Sequence, residues 1–73
     1  MNAEADSRAL SAIEDLVQLL QLAEGAAQRL VQEVHGPSFD HAELLVRELR
    51  RLRRSADTLH ATTARMVGAE LQL

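Results

Sequence analysis

Two long runs of helical periodicity are separated by His35-Gly36-Pro37-Ser38-Phe39-Asp40-His41, the one stretch whose chemistry both stops a helix and opens another. Glycine reaches the left-handed conformation that follows a helix C-terminus without steric cost. Proline cannot donate to the turn before it and has its φ fixed, so Gly36-Pro37 ends the first helix. Asp40 can then cap the second helix and Glu43, three residues on, can reach back to it as a capping box. Phe39 before that cap and Leu44 beyond it have the spacing of a hydrophobic staple. At the other end Ser7 and Ser11 are both candidate caps, and keeping Leu10 helical selects Ser7. The expected plan is an all-α, antiparallel two-helix hairpin in a single domain over 1–73: helix one at about 7–35, a turn at 36–40, helix two at about 41–68, and frayed ends.

In the first helix Ile13, Leu16, Leu20, Ala23, Ala27, Leu30 and Val34 recur at alternating steps of three and four, the pattern of a coiled-coil seam. In the second, Ala42, Leu45, Leu49, Leu52, Ala56, Leu59, Thr63 and Met66 do the same. These two stripes are expected to meet. Outside them Val17, Leu19, Leu22, Val31, Val46 and Val67 widen the apolar surface into a second face that a lone hairpin would expose. A 73-residue chain seldom draws more than about 3–5 kcal/mol from one core. The surplus is therefore expected to be covered by self-association or by a protein partner, completing a bundle. The candidate partner-binding residues are Leu16, Val17, Leu20, Val31, Leu45, Leu49, Leu52 and Leu59. Gly25 falls on the far side of the first seam, beside the slim Ala23, Ala26 and Ala27, and periodicity alone leaves open whether helix one continues through it.

The chain has no cysteine, hence no disulfide framework and no thiolate metal site, and a reducing compartment is the default. The acidic, polar start Met1-Asn2-Ala3-Glu4-Ala5-Asp6 does not read as a secretory signal, and no run approaches the roughly 18 apolar residues of a membrane span. A cytoplasmic protein is the expectation. Of the net charge of −3, residues 1–36 carry 2 − 6 = −4 and residues 37–73 carry 6 − 5 = +1. An acidic helix followed by a basic one favours antiparallel contact within or between copies, although exposed pairs contribute only about 0–1 kcal/mol each.

Arg47, Arg50, Arg51, Arg53 and Arg54 are dense enough to engage nucleic-acid phosphates. Against that stand the acidic net charge, the absence of aromatic residues for base stacking, and local pairs at helical spacing, Glu43 to Arg47, Glu48 to Arg51 and Arg53 to Asp57. A solvated, partly paired face is the reading preferred, and a nucleic-acid-binding homodimer is the alternative. His35 and His41 flank the turn around Asp40 without a recognised metal-ligand spacing, and His60 lies beside the seam as a packing residue. Glu14 and Asp15 project about 100° apart on a helix, and no nucleophile motif or glycine-rich loop is present. No enzymatic activity, cofactor or metal is expected.

Thr58-Leu59-His60-Ala61-Thr62-Thr63-Ala64-Arg65-Met66-Val67-Gly68-Ala69 is faintly similar to the phosphorylated helix of histidine phosphotransfer domains. Aligned on Arg65 and Gly68, however, it places Thr58 at the acceptor position and Ala61-Thr62 in place of Lys-Gly, so that role does not carry over. Pro37-Ser38-Phe39-Asp40-His41-Ala42-Glu43-Leu44-Leu45 resembles the Pro-Ser-Asp-Pro-x-Leu-Leu turn that opens the second helix of type III secretion needle subunits, with Phe39 inserted and His41 for the second proline. In length and two-helix plan the chain looks more like the needle co-chaperones of those bacterial systems, which pair with a second chaperone to hold a needle subunit unpolymerised. That resemblance implies a small chaperone or assembly adaptor. The alternative resembles, in architecture only, the plasmid repressor-of-primer family, whose hairpins dimerise into four-helix bundles and bind RNA.

Overall fold

The computed structural model describes residues 3–71 as two helices, α1 (Ala3–Glu33) and α2 (Pro37–Leu71), packed antiparallel along their length. At 1.5 Å per residue their 31 and 35 residues build a rod whose Cα atoms extend 57 × 14 × 14 Å. Its radius of gyration, 16.5 Å, exceeds the roughly 11 Å of a compact domain of this length. The hairpin is one layer of packing, with a line of contact where a globular domain has a core.

Gly36 makes the reversal. It holds φ at +64°, the left-handed conformation expected of a residue just past a helix end. Val34 N–H still donates to the Leu30 carbonyl at 3.1 Å, and Phe39 N–H donates to the Gly36 carbonyl at 3.0 Å. Pro37 is already the first residue of α2, a position where its missing N–H costs nothing and its fixed φ is helical. This corrects the expected turn: Asp40 lies within the first turn of α2 instead of capping it, and Phe39 is inside the helix, so the staple spacing does not apply. Asp40 still suits the positive end of the helix dipole. At the opposite end α1 starts at Ala3, ahead of both Ser7 and Ser11, and it runs unbroken through Gly25. Helix two extends to Leu71; Met1, Asn2, Gln72 and Leu73, expected to fray, lie outside the described residues.

The seam itself is rotated from the expected one. Let a and d denote the heptad positions turned toward the sister helix. Position d is then Ile13, Leu20 and Ala27 on α1 and Val34 just past its end, with Ala42, Leu49, Ala56 and Thr63 on α2, and position a is Leu10, Val17, Glu24 and Val31 with Val46, Arg53, His60 and Val67. All of these are buried or half-buried. The d residues belong to the expected stripes. The others expected there, Leu16, Ala23 and Leu30 with Leu45, Leu52, Leu59 and Met66, occupy position g and flank the contact. Conversely Val17, Val31, Val46 and Val67, expected on an uncovered second face, are covered by the sister helix. They supply no ground for a partner.

The rotation follows from size and charge. The buried apolar residues are Ile13, Ala27, Ala42, Val46 and Ala56, so alanine at d on both helices lets the backbones approach closely. Glu24, at a, is only 6% exposed and draws Arg50 and Arg53 of α2 across the seam. Those contacts turn position a, and not g, toward the sister helix.

Candidate interaction face

With a and d turned inward, antiparallel packing places the g rows of both helices on one side of the hairpin and the e rows on the other. The two sides differ in kind. Position e carries Ser7, Glu14, Gln21 and Gln28 on α1 and Glu43, Arg50, Asp57 and Ala64 on α2. An open groove of about 440 Å³ there is lined by Gln28, Val31, Gln32, Glu43, Val46, Arg47 and Arg50. Position g carries Ala9, Leu16, Ala23 and Leu30, then Ser38, Leu45, Leu52, Leu59 and Met66, with no charged residue among them.

The g side is largely uncovered. Leu16 and Leu30 are each 44% exposed, Leu45, Leu52 and Leu59 about half, and Met66 42%. Leu16, Leu20, Leu52, Ser55, Ala56 and Leu59 line an open groove of about 320 Å³ on this side. Single exposed leucines are ordinary on protein surfaces, but a contiguous row on both helices is the kind of patch that marks an interaction site. Of the candidate partner-binding residues, Leu16, Leu45, Leu52 and Leu59 stand on this side, whereas Val17, Leu20, Val31 and Leu49 are half-buried in the hairpin's own seam. Leu30 and Met66, absent from that candidate set, complete the g row. Leu19 and Leu22, further round α1, are 62% and 70% exposed.

The polar contacts gather in the seam and at its e edge. Arg50 Nε donates to Glu24 Oε1 at 3.0 Å. Arg53 Nη1 lies 2.8 Å from Oε2 as an ion pair. That nitrogen's N–H bonds are not aligned for hydrogen bonding, so Oε2 is buried without a hydrogen-bond donor. His60 Nε2 stands 3.8 Å from Glu14 Oε1, beyond hydrogen-bond reach and an ion pair only when the imidazole is protonated. Thr58 and Thr62 each donate a hydroxyl to the carbonyl one turn back, Arg54 and Thr58 respectively, which satisfies them within α2.

The arginine cluster divides. Arg50 and Arg53 are committed to Glu24, while Arg47, Arg51 and Arg54 stand exposed on the outer surface of α2. None of the expected local pairs, Glu43–Arg47, Glu48–Arg51 or Arg53–Asp57, forms; Arg53 reaches across to α1 instead. Among the described residues no group of three or more histidine, aspartate or glutamate side chains converges as a metal site, and no helix is long and apolar enough to cross a membrane. No protein-family model matches the chain, and no curated protein or solved structure matches it either.

Proposed function

We propose that this chain is a non-enzymatic protein-interaction module whose working surface is the apolar g side of the hairpin. One observation carries the reading: a row of leucines and a methionine, interrupted by alanine on α1, that runs along both helices about half exposed beside a seam whose buried apolar residues are mostly alanine. Covering the exposed half of one such leucine is worth about 1 kcal/mol, so a helix laid along the row gains several kcal/mol that the hairpin alone forgoes. The finer role of a small chaperone or assembly adaptor of a bacterial secretion system rests on the likeness in length and two-helix plan to needle co-chaperones.

The test compares two leucines of similar size and different placement. Leu52→Asp is expected to abolish association and lower the melting temperature, whereas Leu22→Asp, on the outer surface, is expected to change neither. Equal behaviour of the two would show that the g side has no special role.

A second reading is favoured by Arg47, Arg51 and Arg54, which recur at steps of four and three along one exposed stripe and, among the described residues, meet no carboxylate. Such a stripe can track nucleic-acid phosphates. Retention on RNA or DNA that falls steeply between low and moderate salt, and is lost in Arg47→Ala/Arg51→Ala/Arg54→Ala, would support it; no retention at low salt excludes it.

A further inference from the structure

We infer that the occupant of the apolar side is a second copy of this chain, laid face to face on the first about a two-fold axis that crosses the middle of the hairpin, to give an antiparallel four-helix bundle. The inference rests on the interaction-module reading and names its partner. Three observations carry it.

The first is angular. The apolar stripe on each helix, interrupted at Ser38 and Thr63 of α2, is d with g, yet the sister helix is met by a with d. At seven residues per two turns those two stripes are centred about 50° apart. In a square bundle the direction to an adjacent helix and the direction to the bundle axis differ by about 45°. A helix whose apolar stripe points halfway between its sister and the open side is thus oriented for a bundle of four. The residues at a that the hairpin turns away from the open side include Glu24, Arg53 and His60, the polar members of the seam apart from Thr63. A second hairpin on the g side would leave all three at the outer edge.

The second is self-complementarity. Residues facing across the hairpin have numbers that add to about 75, as Glu24 with Arg50 and Glu14 with His60 show at 74 each. Place the two-fold axis between Leu19 and Leu20 on α1. The same hairpin register then brings it between Ser55 and Ala56 on α2, near the midpoint of both helices. In that register Leu16 meets Ala23 of the second copy and Ala9 meets its Leu30, so that each alanine of the α1 row faces a leucine. On α2, Leu52 meets the second copy's Leu59 and Leu45 its Met66. Every layer then holds one small and three large apolar residues, the even filling that close packing requires. No charged residue lies in either row.

The third is area. The face measures 57 by 14 Å between Cα extremes, a rectangle of roughly 800 Å². That is what each partner contributes to a stable interface of standard size, and a two-fold axis makes one patch serve both copies.

The native chain has no cysteine, so a single introduced thiol reports the arrangement cleanly. Ser55 stands beside the inferred axis on the exposed rim of α2, and Asp57 on the opposite, e side. Expected are a sedimentation mass of two chains for the native protein, near-complete oxidation of Ser55→Cys to a disulfide-linked pair with unchanged far-ultraviolet circular dichroism, and no linked pair for Asp57→Cys. A two-chain mass without the Ser55→Cys linkage overturns the inference by placing the copies otherwise. A monomer at every micromolar concentration, weakly helical and binding an apolar dye, overturns the second copy as occupant while leaving an interaction face that needs a different chain. A fully helical monomer with a sharp melt and no dye binding overturns both.

Discussion

Glu24 is the residue whose replacement tests the seam most sharply, because the two ways of breaking its ion pairs should have opposite signs. Its side chain is 7% exposed, while those of Arg50 and Arg53 are 51% and 36% exposed. Removing both guanidinium groups in Arg50→Ala/Arg53→Ala strands a buried carboxylate. Stripping a buried pair of one partner costs about 3–5 kcal/mol, and because the cations are partly in water already the cost here falls below that range, at about 2–3 kcal/mol. Glu24→Leu removes the buried charge itself and leaves two arginines free to turn to solvent. An apolar replacement of matching volume at such a site is neutral or stabilising, here by about 1 kcal/mol. For a chain of this size each kcal/mol moves the melting temperature by about 4–8 °C. Thermal melts followed by circular dichroism at one fixed protein concentration should therefore show the arginine variant falling by roughly 10–20 °C and Glu24→Leu rising by roughly 4–8 °C. An arginine variant melting within about 2 °C of the native chain, or a Glu24→Leu that melts lower, would refute the assignment of Glu24 to the seam.

Gly36→Ala should destabilise by about 1 kcal/mol, since a Cβ there meets no atom within 4 Å and the cost is wholly that of φ = +64°. Gly25→Ala should stabilise by about 1 kcal/mol, because its Cβ would sit 3.7 Å from Arg29 Nη1, an ordinary contact, within a continuous helix; paired urea titrations would measure both. Leu49→Asp, in the hairpin's own seam, should abolish helicity and association together, whereas Leu22→Asp, on the outer surface, should leave a helical, associating chain. Dichroism with sedimentation separates these, and equal loss of helicity in both would mean that the seam and the outer surface are not distinct.

The hairpin is legible in the sequence because its determinants are local. Gly36 must adopt a conformation other residues avoid, Pro37 cannot continue a helix, and the apolar spacing on either side admits no strand. The start of α2 is less legible, since Pro37 as a first helical residue and Asp40 with Glu43 as a capping box are competing local solutions, and only the chain's reversal chooses between them. The rotation of the helices is not local at all. Position d, apolar from Ile13 to Val34 and from Ala42 to Ala56, is common to either alternative, and periodicity ranks the leucines of g above the valines of a. What decides the matter is Glu24, which breaks the a row of α1 as a sequence pattern yet finds Arg50 and Arg53, 26 and 29 residues away, once the helices meet. A polar interruption in a seam is informative only with its cross-helix partner. The expected interaction residues were accordingly mixed: Leu16, Leu45, Leu52 and Leu59 are uncovered, whereas Val17 and Val31 are covered by α2.

Filling of the g side by another copy is tested most directly by the dependence of the melting temperature on protein concentration. If folding and pairing are one step, a hundredfold rise in concentration stabilises the pair by about 2.7 kcal/mol. Against an unfolding entropy of about 2.1 cal/mol/K per residue over two chains, that raises the melting temperature by roughly 9 °C. A melting temperature that stays constant across the same range, in a chain that unfolds cooperatively, would contradict it.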